Sequence, residues 1–287
     1  MLQYLVQGIL LGGLYAIIGI GMSMVFGIMR LTNLAHGDLM ILSAYLALTF
    51  CDLLGGNLLL ATLFTIIAMV IIGFLIQAFL VNHVLSKGAE PALLVTFGIS
   101  VFLANLLHNI FSADYQSLPN SLTNTQVIST DLVSISAIYL FSFVVAILMI
   151  VGLHFLMQRT NFGRSIRATS DDDMAAGLTG VNTKRAYVYA MMLSMAVTAV
   201  SGVLIGSTYT FNASMGSSYL IIAFGVVVIG GMGSLIGTLL GGIVLGVAQL
   251  LGSYFLGTGV QLLVAYLVLL VVLATRPNGL LARATRK

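Results

Sequence analysis

Asn33, His36 and Asp38, with Gly37 between the last two, are the residues of this chain whose types and spacing could do chemistry. They form a polar knot, Thr32-Asn-Leu-Ala-His-Gly-Asp38, inside a stretch that is otherwise apolar. Ionisable groups at membrane depth are costly, so they face a cavity, a partner or a pathway. Two readings are open. The knot is either a solvated turn between two helices or a break in a helix, with Gly37 permitting the bend and His36 and Asp38 bonding the freed backbone. No second His or carboxylate sits at ligand spacing, and His83, His108 and His154 stand singly, so no metal centre is expected. Gly231-Met-Gly-Ser234 is a poor nucleophile elbow with no partner histidine beside it. His154 is the distant residue that keeps intramembrane hydrolysis open as a minor reading.

Nothing in the chain can bind nucleotide through a Walker A loop. The three lysines, Lys87, Lys184 and Lys287, never follow a glycine, and G-x-x-x-x-G-K-[ST] needs one that does. Ion-gradient coupling normally requires carboxylates inside the spans. Only Asp38 and Asp52 are candidates, which favours an energy source on another polypeptide.

Basic residues fall in two islands. Of eleven, five (Arg159, Arg164, Arg167, Lys184, Arg185) lie in the loop 158–186 and four (Arg276, Arg283, Arg286, Lys287) in the last dozen residues. Basic loops stay on the cytoplasmic side, so both islands are expected there, while 112–131, without Lys or Arg, suits the outside. A solvated loop explains the charge but not the apolar Met174-Ala-Ala-Gly-Leu178 within it. Thr169 or Ser170 suits a helix N-cap before Asp171–Asp173. Asp172, Ala176 and Gly180 then fall at i, i+4 and i+8, giving a smooth edge that could slot into a partner, with Arg164 and Arg167 meeting its acidic groups. Nucleic-acid binding would need a contiguous basic face, which is missing.

These residues must be carried by membrane helices. The chain is 60% hydrophobic and 7% charged. Runs 57–81, 133–157 and 187–211 hold no charge and meet the ~20 residues needed to cross a bilayer. Further apolar runs cover about 4–29, 39–51, 92–111, 219–238, 239–256 and 260–275. Charge placement gives about nine crossings with the N-terminus outside, or eight if 30–56 is re-entrant. The first basic residue is Arg30, so the first run is expected to remain a membrane helix rather than a signal peptide. Cys51 is the sole cysteine, which excludes an intrachain disulfide. The expectation is one all-α polytopic domain over 1–287, with small-xxx-small pairs such as Gly237/Gly241 and Gly242/Gly246 letting helices approach closely. Segment 225–242 is too glycine-rich for one unbroken helix. With 32–38 it suggests paired broken helices in the two halves, a weak internal repeat of the kind that frames a midplane site.

Four stretches in order carry a family resemblance. They are Asn33-Leu-Ala-His-Gly-Asp38, Gly163-Arg-x-x-Arg-Ala168 followed by Asp172, Ala176 and Gly180-Val-Asn182, Val228-Ile-Gly-Gly-Met-Gly-Ser234, and Arg276-Pro-Asn-Gly-Leu280. Together they make the chain similar to the permease subunit of branched-chain amino acid ABC importers, a family that includes urea and short-amide permeases. The resemblance implies a multi-pass permease in the bacterial cytoplasmic membrane that uses no cofactor. Its implied partners are a second permease subunit, two cytosolic ATP-binding subunits and an external solute-binding protein. It also implies a coupling element containing Arg164, Arg167, Asp172, Ala176 and Gly180. Asn33, His36, Gly37 and Asp38 would form one broken helix, with Gly230, Gly231, Gly233 and Ser234 as its counterpart. The motifs leave the solute open between branched-chain amino acids, urea and amides. A passive channel for a small neutral solute is the rival that would need no coupling element.

Overall fold

The computed structural model describes residues 1–85, 87–120, 125–129, 134–276 and 279–281. The helices are α1 (Leu2–Met29), α2 (His36–Leu53), α3 (Leu58–Leu75), α4 (Asn82–Leu85), α5 (Ala89–Phe111), α6 (Ala137–Arg159), α7 (Asn161–Asp171), α8 (Asp173–Leu178), α9 (Thr183–Thr208), α10 (Gly216–Gly230), α11 (Leu235–Leu256) and α12 (Gln261–Thr275). A π-helical stretch, Ile76–Val81, joins α3 to α4 without a break in the rod. The only sheet among the described residues is the small hairpin β1 (Gln126–Ser129) and β2 (Ser134–Ser136). Arg283, Arg286, Lys287, Pro277, Asn278 and Asp131 lie outside the described residues.

Among the described residues, eight helices are long and apolar enough to cross a membrane. α2 is not one of them. With it as a partial passage, the described chain runs nine times along the bundle, with α1 starting at the end opposite the basic loop.

α1 and α9 form the centre, and each is matched by helices from the other half of the chain. α1 packs on α11 while α9 packs on α3, and α1 packs on α10 while α9 packs on α2. Likewise α10 packs on α11 as α2 packs on α3, and α10 on α12 as α2 on α5. Exchanging α1, α2, α3, α5 for α9, α10, α11, α12 therefore preserves these four pairs of contacts, while the packing of α11 on α12 has no equal between α3 and α5. The two sets run in opposite directions, so the repeat is inverted.

Close approach of backbones holds the centre together. A Cβ on Gly12 would lie 2.4 Å from Ile243 Cα, and one on Gly242 2.4 Å from the Gly12 carbonyl. Gly237 and Gly241 serve the other side of α11, against Gly230 and Val226 of α10. Between helices in lipid, dispersion at such distances replaces the hydrophobic drive available in water. Buried hydroxyls also tie α9 to its neighbours: Ser194 Oγ donates to the Gly21 carbonyl of α1 at 2.7 Å, and Ser43 Oγ of α2 donates to the Thr198 carbonyl at 3.2 Å. Apolar side chains on α3, α5, α6 and α12, such as Leu59, Phe102, Phe155 and Leu270, face outward, as lipid contact requires.

Helix boundaries in the last third differ from the sequence reading. The expected runs 219–238 and 239–256 divide instead at 231–234, where Gly231 (φ 104°) and Gly233 (φ 82°) take left-handed backbone. The loop 158–186 also folds further than expected, into α7 and α8.

Candidate functional site

The knot at 32–38 is a break, and it lies inside the bundle. α1 ends at Arg30, a left-handed cap (φ 51°) whose N–H bonds the Phe26 carbonyl at 2.8 Å. The next residues then run back along the helix in non-helical form. His36 Nε2–H donates to the Ile18 carbonyl at 2.9 Å, eleven residues, about 16 Å at 1.5 Å each, up α1 from its end. Irregular backbone at such depth is tolerated only when protein encloses it. Leu31, Asn33 and Ala35 are indeed buried, and the Leu34 N–H finds Thr96 Oγ1 on α5 at 3.3 Å.

α2 starts at this depth and leads away from the basic loop, passing Thr198 and Gly202 of α9. α10 starts at the same point and leads the opposite way, until Gly233 just past its end meets Gly27 of α1. The two helices meet N-terminus to N-terminus. A Cβ on Gly37 would fall 1.9 Å from the Gly216 carbonyl oxygen, and one on Gly216 would fall 1.9 Å from Asp38 Oδ1. The Asp38 carboxylate thus lies where the positive ends of two helix dipoles converge. Its other oxygen accepts from Ser100 Oγ of α5 at 2.5 Å. Asn33 Nδ2 and His36 Nδ1 are buried beside this junction without hydrogen-bond partners, an arrangement that costs free energy until something satisfies them.

The expected counterpart, Gly230, Gly231, Gly233 and Ser234, is not brought to Asn33, His36, Gly37 and Asp38. It turns α10 into α11 at the basic-loop end. Leu280 and Leu281 cover it there, their N–H groups bonding the Ile229 and Gly230 carbonyls at 2.8 and 3.1 Å. What meets the knot is the descent 209–216. Asn212 Oδ1 accepts the Ser214 N–H at 3.1 Å and starts a 3-10 turn, Ala213–Met215, into α10. The polar run Asn212-Ala-Ser-Met-Gly-Ser-Ser218 was the available signal. Ser100 carried none, being a single serine on an apolar helix.

The basic loop is built from three caps. Thr160 Oγ1 accepts from Gly163, Asp172 Oδ1 from Ala175 and Asn182 Oδ1 from Arg185, opening α7, α8 and α9. The N-cap of α8 is Asp172, whereas Thr169 and Ser170 lie within α7. Nor do Asp172, Ala176 and Gly180 form an exposed edge. Ala176 is buried and Gly180 (φ 88°) ends the helix. The face turned outward carries Met174 and Leu178, 77% and 87% exposed. Arg164 is exposed and bonds the Asn161 side chain; Arg167 turns back to the Met157 carbonyl.

Among the described residues no cluster of His, Cys, Asp or Glu could hold a metal ion. The inverted bundle and its head-to-head half-helices define an all-α, polytopic membrane protein of the permease kind. The family model described as branched-chain amino acid transport system / permease component matches residues 4–273, and the chain belongs to that family. It is 32% identical, over 98% of its length and 96% of the relative's, to the high-affinity branched-chain amino acid transport system permease protein BraD of Pseudomonas aeruginosa. It is 31% identical, with the same coverage, to LivH of Escherichia coli K12, which carries the same description. A shorter match, 32% over 48% of the chain, is to the fructose import permease protein FrcC of Rhizobium meliloti. No solved structure shows a significant match.

Proposed function

We propose that this chain is the permease subunit of an ATP-driven importer for branched-chain amino acids. The observation that carries the reading is likeness over nearly the whole length to permeases named for high-affinity transport of those solutes. The missing Walker A loop supports a separate ATPase. In this reading two cytosolic ATP-binding subunits, a second permease subunit and an external solute-binding protein complete the importer. The loop 158–186 and the C-terminal tail face the cytosol, with α8 as the coupling element. Its bare Met174 and Leu178 suit a hydrophobic groove on the ATPase. Solute passes where α2 and α10 part: half-helix N-termini favour a carboxylate, and Asp38 an ammonium group.

Uptake of labelled leucine into proteoliposomes, with the partner subunits and ATP, tests this. The reading predicts accumulation that stops without ATP or the ATPase. Leucine entry independent of both, or uptake of urea and amides in place of leucine, overturns it.

A further inference from the structure

A second polar feature lies away from the junction. At the basic-loop end, level with the last two turns of α1, a cleft of about 250 Å³ opens between α1, α6, α7 and the start of α11. Its polar lining comes from Ser23, His154, Gln158, Arg167, Ser170 and Ser234, and no carboxylate borders it. We propose that this cleft binds the phosphate of an anionic phospholipid.

Three observations converge on an anion. The 22-residue α11 begins at the cleft with Ser234 as its N-cap. Ser234 Oγ takes the Gly237 N–H, so the amides of Leu235 and Ile236, both lining residues, remain as donors at a positive dipole end. The Arg167 guanidinium gives one N–H to the Met157 carbonyl and keeps further donors for a ligand. Ser23 borders the cleft from its buried side, 1% exposed, and its hydroxyl has no partner. An unmade bond at such a position is costly, and a phosphate oxygen would complete it.

The flanks select a lipid over free phosphate. Val151 and Phe155 continue the His154 and Gln158 face of α6, 60% and 62% exposed. Ile236 and Leu240 do the same on α11, at 54% and 39%. Two apolar strips therefore lead away from the polar cleft toward the bundle middle, the layout of a headgroup with acyl chains below it. Nothing here depends on which solute the protein carries.

The test is binding of phosphatidylglycerol and phosphatidylcholine to the delipidated full-length chain, read by native mass spectrometry. Inorganic phosphate at millimolar concentration is the second arm. The wild type should prefer phosphatidylglycerol by about tenfold or more, as expected for one or two charge-assisted bonds. Arg167→Gln and the cleft-filling Ser23→Leu should remove that preference. His154→Ala, at an exposed position outside the packed core, should reduce it. Equal binding of the two lipids by the wild type overturns the proposal, as does a preference that survives all three substitutions. Phosphate that binds without any preference for the anionic lipid overturns the lipid assignment.

Discussion

Replacing Gly37 by alanine puts a methyl group into the joint between the half-helices. The added Cβ would lie 1.9 Å from the Gly216 carbonyl oxygen and 2.8 Å from Leu220 N, where ordinary contact begins at 3.4 Å. The neighbours are backbone and cannot rotate aside, so α2 and α10 must separate by about 1.5 Å at their N-termini. Overpacking of this kind costs about 1–3 kcal/mol, and rigid surroundings place the cost at the upper end. The same shift disturbs the junction in which Asp38 accepts from Ser100. Gly37→Ala should therefore melt at lower temperature in nanodiscs and lose most ATP-driven uptake while still binding the ATPase, whose proposed contact lies elsewhere. Gly98→Ala and Gly152→Ala are the controls. Both glycines are helical with nothing within 4 Å of an added Cβ, so alanine should leave stability unchanged or raise it by up to about 1 kcal/mol. A Gly37→Ala protein as stable and active as these controls would refute the head-to-head arrangement.

Asp38→Ala and Ser100→Ala should be coupled in a double-mutant cycle of stability by more than about 1 kcal/mol, the scale for hydrogen-bonded neighbours; additive effects would show that the two side chains do not meet. Met174→Ser with Leu178→Ser should weaken capture of the ATPase by about tenfold or more without lowering the melting temperature, since both side chains are bare. Unchanged capture in a pull-down would move the docking face elsewhere. Asp172→Ala should cost about 0.5–2 kcal/mol by removing the α8 cap, seen as faster amide exchange over 173–178 but not over α9. Leu178→Cys should react with a membrane-impermeant maleimide only from the cytosolic side, Cys51 being buried and silent. Labelling from the outside would invert the proposed orientation.

Much of the architecture follows from composition and spacing. Charge-free runs longer than 20 residues have one stable form in a bilayer, so α3, α6 and α9 sit within a few residues of where hydropathy puts them. The knot at 32–38 stood out because His36 and Asp38 are expensive in such a setting, although the sequence left a solvated turn and a helix break equally open. Its partner was misplaced because glycine content at 230–234 outweighed the plainer Asn212–Ser218 run. Composition does not distinguish a turn that ends one helix from a turn that starts another against Asp38, and only packing shows which of the two segments does each. The α8 face was misread for a related reason. Small residues at i and i+4 suit a partner's groove and the protein's own interior equally well, and Ala176 faces the interior.

The crosswise matching of α1 with α11 and α9 with α3 bears on how the chain is made. α1 is made well before α11, and the surface that complements its Gly8 and Gly12 side is synthesised more than 200 residues later. Until then that flank must be shielded by lipid or by an insertion chaperone. Neither half can settle alone, and a ribosome stalled before residue 235 leaves an early helix waiting for its mate.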